Sequence, residues 1–245
     1  VIIKEDKISA EGSEIKFYKD KSLLLIKEGK IFKSNENIEI SSKNIEYRID
    51  KSNLTLREDV KINDKKNSLF INSNEMNYDV INQLITSKAE SEIFDNFGNV
   101  YKVNEFEYSL EKKVIKLSQV KAFDANKNSF IVDLAYMDLT TKELLAKDVT
   151  LNFKISKNSD NEPRLKGRSL INNENNTIVK KGTFTFCKKR DKCPPWEMSA
   201  EEIRHDKKKK TINYKNASLK IYDQKVFYFP KFFHPDPTVK RQTGF

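Results

Sequence analysis

Leu54-Thr55-Leu56-Arg57-Glu58-Asp59-Val60-Lys61-Ile62 is the stretch that decides the fold. Leu54, Leu56, Val60 and Ile62 share one parity, with Thr55, Arg57, Asp59 and Lys61 between them. Successive side chains leave a strand on opposite sides, so an apolar period of 2 marks a strand with one buried and one wet face. Nowhere does the chain give a sustained apolar run at i, i+3, i+4 and i+7, so strands carry the whole expectation.

The same phrase recurs on both sides. Upstream, Tyr47 precedes the turn Asp50-Lys51-Ser52-Asn53, and Phe17 precedes the turn Asp20-Lys21-Ser22 and then Leu24 and Ile26. Downstream, Tyr78 is followed by a break near Asn82-Gln83, then Ile85 and Ile93. Tyr108 is followed by Ile115, Leu117 and Val120, and Met137 by Leu144, Val149 and Leu151. The landmarks Phe17, Tyr47, Tyr78, Tyr108 and Met137 stand about 30 residues apart, which gives five copies across residues 8–155. A unit of about two strands cannot bury its apolar face alone, and stacking successive units does it for all of them. The expected fold is all-β, a stacked-strand jellyroll of two facing antiparallel sheets around an apolar groove. Its open ends are strand edges that must be charged, covered or paired. By parity, the groove lining is Leu54, Leu56, Val60, Ile62, Ile85, Ile93, Ile115, Leu117, Val120, Leu144, Val149 and Leu151. A packed core and a groove for apolar chains call for the same residues, so parity alone does not separate them. Residues 156–168 read as a polar connection, and strands resume at Ser169-Leu170-Ile171, Thr177-Ile178-Val179 and Thr183-Phe184-Thr185-Phe186.

Composition narrows the function. Six glycines and six prolines in 245 residues are few, and Asn, Asp and Lys fill the turns instead. A net charge of +10 suits nucleic acid, an anionic membrane or an anionic glycolipid. A nucleic-acid face would need basic residues interleaved with exposed aromatics, and here most aromatics take the inward parity, so no nucleic-acid partner is expected. Val1-Ile2-Ile3-Lys4-Glu5-Asp6 reads as mid-chain sequence and reports no compartment. No enzyme, cofactor or metal is expected. There is no Gly-rich phosphate loop, no Ser elbow and no His-Glu-x-x-His. Glu201-Glu202 are neighbours on a strand and face opposite sides, which does not make the paired carboxylates of a polysaccharide hydrolase. His205 beside Asp206 reads as a solvated turn or strand-end histidine. Cys187 and Cys193, six positions apart, could close a small loop in an oxidising compartment, worth roughly 2–2.5 kcal/mol in the chain-entropy model.

The last third is the most specific. Thr183-Phe184-Thr185-Phe186-Cys187 leads to Cys193-Pro194-Pro195-Trp196, then Ala200, Ile203 and His205-Asp206, then Val226-Phe227-Tyr228-Phe229-Pro230. It ends Pro235-Asp236-Pro237-Thr238-Val239-Lys240-Arg241-Gln242-Thr243-Gly244-Phe245. In this order of landmarks the chain resembles LptD, the family of outer-membrane lipopolysaccharide-assembly proteins also called organic-solvent-tolerance or OstA proteins. Asp-Pro-Thr-Val before Lys-Arg is similar to the alphaproteobacterial branch. The resemblance implies a periplasmic jellyroll over residues 1–231. Residues 232–245 would link it to the first strand of an outer-membrane β-barrel beyond this chain. Phe227, Tyr228, Phe229, Pro230, Phe232, Phe233, Gly244 and Phe245 would then form the membrane-interface and barrel-entry segment, in keeping with the preference of aromatics for the bilayer interface. It also implies lipopolysaccharide, through its lipid A part, as the cargo. An LptA-like bridge would join by strand-edge pairing, an LptE-like lipoprotein would partner the barrel, and the location would be the outer membrane facing the periplasm. Members of that family also carry cysteines in the barrel. Cys187 and Cys193 are therefore expected to bond each other, with a partner elsewhere as the alternative. A soluble bridge protein of the LptA type accounts for the repeats equally, but not for the aromatic, proline-rich end.

Overall fold

The computed structural model describes residues 2–5, 8–125, 127–154, 162–187, 195–236 and 239. The chain is all-β: among the described residues the strands pair antiparallel, and the helical segments are two single turns of 3-10 helix at Lys19–Lys21 and Ile49–Lys51. It divides into two compact units, residues 1–120 and 121–245.

The first unit contains β1 (Ile2–Glu5), β2 (Ile8–Glu11), β3 (Glu14–Tyr18), β4 (Leu23–Lys33), β5 (Ile38–Arg48), β6 (Asn53–Asp64), β7 (Leu69–Asp79), β8 (Leu84–Ser87), β9 (Ser91–Phe94), β10 (Val100–Val103), β11 (Glu105–Ser109) and most of β12 (Val114–Phe123). Each long strand is two half-strands meeting at a corner. Residues 29–33, 38–42, 60–64 and 69–73 pair in sequence with β2, β9 and β10. Residues 23–27, 44–48, 53–57 and 76–79 pair with β3, β8 and β11. The unit is thus a sheet folded along its midline into two layers. Its hairpin turns gather at the mouth opposite the fold line.

The corners explain a departure from simple alternation. In β4 the buried positions are Leu24 and Ile26, then Gly29 and Ile31. In β12 they are Ile115 and Leu117, then Val120 and Ala122. Inward parity therefore flips in mid-strand. At the flip stands one extra residue with positive φ, Glu28 in β4 and Gln119 in β12. A left-handed residue turned out of the ladder is a bulge, which bends the strand and takes neither face. The strand β6 has two, Glu58 and Asp59, so its parity is preserved. That is why the stretch from Leu54 to Ile62 alternates cleanly where its neighbours do not.

The repeat has a geometric core. Phe17 pairs with Leu24, Tyr47 with Leu54, Tyr78 with Ile85, Tyr108 with Ile115 and Met137 with Leu144, each across its own hairpin. Every landmark is the last inward-parity position before a turn closed by a left-handed residue at Ser22, Ser52, Gln83, Lys113 or Lys142.

The second unit contains β13 (Ser129–Asp138), β14 (Glu143–Asn152), β15 (Glu162–Asn172), β16 (Asn176–Cys187), β17 (Trp196–Asp206), β18 (Thr211–Ile221) and β19 (Gln224–Pro235), paired in chain order. The same repeat returns at the hairpin where His205 pairs with Ile212, again seven positions apart and before the left-handed Lys210. At the hairpin between β15 and β16, Ile171 pairs with Ile178 at the same spacing, but the buried positions there are Leu170, Thr177 and Val179. The expected polar connection over 156–168 is corrected at its C-terminal end: Arg164, Leu165 and Lys166 lie in β15, laddered to Asn152, Leu151 and Thr150 on one side and to Thr185, Phe184 and Thr183 on the other. Backbone pairing on both sides overrides the polar composition of that segment.

Candidate functional site

All twelve residues assigned inward by parity are buried, from 0% exposed at Leu56, Val60, Ile62, Ile85, Ile93, Ile115 and Leu117 to 9% at Leu144. Parity places them on the inside. In this structure the inside of the first unit is packed rather than open, with Ile71, Met76 and Phe106 filling it between the layers.

The fold line of the first unit is stitched by buried serines. At the corner of β5, the hydroxyl of Ser42 donates to the carbonyls of Asn44 (3.0 Å) and Arg57 (2.7 Å), where the ladder to β6 slips. Ser73 and Ser87 repeat the device on the carbonyl of Glu75 at 3.1 and 2.8 Å, and Ser91 donates to Ala89. A bulge orphans backbone carbonyls, and a small hydroxyl satisfies them without filling the interior. Outside the same line lies an open, polar depression of about 430 Å³ lined by Lys88, Glu90, Asn104, Glu105, Ser118 and Gln119.

The mouth carries the chemistry that the sequence reading did not find. Asp64, fully buried at the end of β6, accepts from the backbone and side-chain nitrogens of Asn67 at 2.9 and 2.7 Å and from the hydroxyl of Tyr108 in the facing layer. The ammonium of Lys33 crosses the same gap to Gln83 Oε1 at 2.9 Å. Burial pulls the Lys33 ammonium below its ordinary pKa, against the pull of nearby Glu36. Burial likewise raises the phenols: Tyr78 is pushed up to about 12, and Tyr101 and Tyr108 also rise, with Asp95 and Asp64 adding to the effect. The recurring Asp64–Asn67 clasp returns at Asp95–Asn99 and Asp124–Asn128. The signal available in the sequence was an Asp and an Asn recurring at the 30-residue period.

In the second unit the mouth is lined by rings. Phe153 meets His205 edge-on with centroids 6.5 Å apart, and Phe184 meets His234 at 5.5 Å. His205 stands at the end of β17, as expected, but its side chain is not left in solvent. It is half-buried, its Nε2 stands 3.0 Å from the carboxylate of buried Asp236, and it occupies the repeat's inward landmark position. The rings of Phe229, Phe232 and His234 on β19 turn inward, toward Tyr214 in the case of the last two. Phe227, Tyr228 and Phe233 are exposed at 61, 54 and 68%, a departure from the mostly inward aromatics. Pro230 lies at the mid-strand corner of β19, between its two laddered halves. Within its unit β19 pairs with β18, and among the described residues its other edge carries no strand of that unit. The side chain of Cys187, and Cys193, Gly244 and Phe245 altogether, lie outside the described residues. No helix of the described residues is long and apolar enough to cross a membrane, which says nothing of a β-barrel.

Among known proteins, no curated relative matches the chain. A solved structure, LptH of Pseudomonas aeruginosa, described as the LptA homologous periplasmic component of its lipopolysaccharide transport device, aligns over 56% of this chain and 79% of its own. The identity is 9% and the TM-score 0.26. Residues 5–124 of the 245 match the model of the family described as "Lipopolysaccharide-assembly, LptC-related", and it is this family that the N-terminal half of the chain is similar to.

Proposed function

We propose that the chain is a lipopolysaccharide-carrying module of a periplasmic transport bridge. What carries the reading is the folded sheet of the N-terminal half, within the stretch 5–124 that matches the lipopolysaccharide-assembly family, whose two layers enclose an interior that is apolar apart from the serines of the fold line and Asp64 at the mouth. Acyl chains would lie between the layers while charged sugars and phosphates stay outside. The chemistry fits: apolar chains gain by leaving water, and excess Lys and Arg can meet lipid A phosphates. Passage needs no bond made or broken, so no catalytic group is required. Free strand edges supply the joints, because an edge presents unpaired N–H and C=O groups to an LptA-like neighbour.

A second reading has its own observation. The exposed Phe227, Tyr228 and Phe233 on β19, with Lys225 and Lys231 among them, suit a segment at a membrane interface. On that reading the module is the periplasmic part of an LptD-like outer-membrane protein, held with an LptE-like lipoprotein.

Site-specific photocrosslinking in cells tests the carrying role. A photoreactive residue at Leu56, Ile62, Ile85 or Leu117 is expected to capture lipopolysaccharide, and one at Arg57 or Lys61 is not. Adducts at none of the inward positions in a folded, correctly located protein would make the interior a closed core and remove the proposal.

A further inference from the structure

The mouth of the first unit holds two tyrosines in equivalent places with opposite fates. Tyr78 and Tyr108 flank Ile85 on neighbouring strands, on one row and one face. Opposite them runs a second row, Lys33–Ile38–Asp64–Leu69, laddered strand to strand. Tyr108 spans the gap and donates to Asp64. Moved back two strands along each row, the same offset sets Tyr78 opposite Lys33. An ammonium has three donors and no acceptor, so it cannot receive a phenol's proton, and here the Lys33 ammonium donates to Gln83 and not to the Tyr78 oxygen. Accordingly, among the described residues the Tyr78 hydroxyl is buried with no hydrogen-bond partner, although the residue is only 1% exposed. Leaving a buried hydroxyl unpaired is costly, and native structures keep such groups where something else completes them. Two donors stand at this place in the register, the Tyr78 hydroxyl and the Lys33 ammonium, which bonds Gln83 Oε1. Glu36 is close enough to act on both Lys33 and Tyr78 and offsets the lysine's charge.

We propose that Tyr78, with Lys33 and Gln83, is the anchor at the mouth of the first unit for the acyl-linkage carbonyl of a lipid whose chains lie between the layers. The inference rests on the lipid-carrying reading above and adds to it the point where the polar end of an acyl chain stops. A carbonyl oxygen supplies the acceptor that Asp64 provides one repeat later. With Lys33 and Glu36 balancing one another, a neutral oxygen suits the place better than a phosphate.

The test compares the whole chain with its Tyr78→Phe and Tyr108→Phe variants, using purified lipid A whose acyl carbonyls carry carbon-13. Tyr78→Phe removes an unpartnered hydroxyl, so the lipid-free protein is expected to unfold at an equal or higher temperature while binding lipid A about five- to tenfold more weakly. Tyr108→Phe strips Asp64 of a donor, so it is expected to lower the unfolding temperature and leave lipid affinity within about twofold. In the infrared, one acyl carbonyl band is expected at lower frequency in the wild-type complex and to return to the unbonded frequency with Tyr78→Phe. If the wild type binds lipid A but Tyr78→Phe changes neither affinity nor the carbonyl band, the anchor is wrong and the carrying role stands. A destabilised lipid-free Tyr78→Phe protein would show that the hydroxyl is bonded to an ordinary water, and would overturn the anchor as well. If the wild type binds no lipid A, the functional reading fails and takes the anchor with it.

Discussion

The two units are written in one repeat and close it differently. At the fold line the first unit packs Gly12 and Gly29 against Ile26 and Ile45 in its first strands and then changes to Ser42, Ser73, Ser87 and Ser91, which bond the carbonyls freed by the corners. The second unit has Gly167, Gly182, Ala200 and Ala217 in the corresponding stretches, with Gly182 laddered to Ala200 and Ala200 to Ala217. There the corner is closed by side chains packed over bare backbone: a Cβ on Gly182 would stand 2.7 Å from Ile203 Cδ1, and one on Gly167 2.0 Å from Val179 Cγ1. At the mouth the first unit joins its layers through a buried carboxylate and an ammonium, and the second through phenyl and imidazole rings. One topology therefore accepts either polar stitching or close packing, provided the orphaned backbone is satisfied or covered.

The comparison can be broken at several points. The largest effect belongs to the filled interior of the first unit: Leu56→Ala is expected to cost about 2–5 kcal/mol in urea unfolding, because a fully buried side chain leaves a cavity between two stiff layers. A loss below 1 kcal/mol would mean the layers collapse freely and are not held apart. In the second unit the opposite change should hurt. Gly182→Ala is expected to destabilise by about 1–3 kcal/mol through overpacking against Ile203, seen as faster hydrogen exchange in β16 and β17. Serine at the same position should be no better, since packing and not a missing hydroxyl is the constraint.

Alkali gives a third contrast. The first unit buries Tyr78, Tyr101 and Tyr108, all with raised pKa, and the second buries Tyr214. Above pH 10 the unfolded chain loses phenolic protons that the folded one keeps, so these groups contribute stability below pH 10 that is lost as pH climbs through about 12. Peptide-resolved exchange is expected to show the first unit loosening more steeply over that window. The smallest effect is at the surface. The Lys102–Glu92 pair is close at 2.7 Å but more than two-fifths exposed on both sides, so Lys102→Ala is expected to leave the unfolding midpoint unchanged within measurement.

How much of this could be read in advance follows from range. The strands, the antiparallel class and the inward set from Leu54 to Leu151 were legible because period-2 burial is written residue by residue. The repeat was legible to Met137 and then lost, because the next hairpin buries Leu170, Thr177 and Val179 in place of an aromatic landmark, and the one after it carries His205 there. The corners were not legible. Glu28, Gln119, Asp148, Lys181 and Asn216 take positive φ without being glycine, so no composition signal announces the flip of parity. Nor was the mouth, since Asp64 and Tyr108 are 44 positions apart and meet only after the sheet has folded on itself.

Those corner residues have a consequence for how such a chain can change length. Anywhere else in a strand, gaining or losing a single residue turns everything beyond it inside out. A corner is different. Glu28 stands alone at its bend while Glu58 and Asp59 share theirs, and on both sides of each bend the apolar residues still face inward. The bends act as slack in the reading frame of the sheet, places where genetic insertions and deletions of odd length can accumulate without exchanging the wet and dry faces.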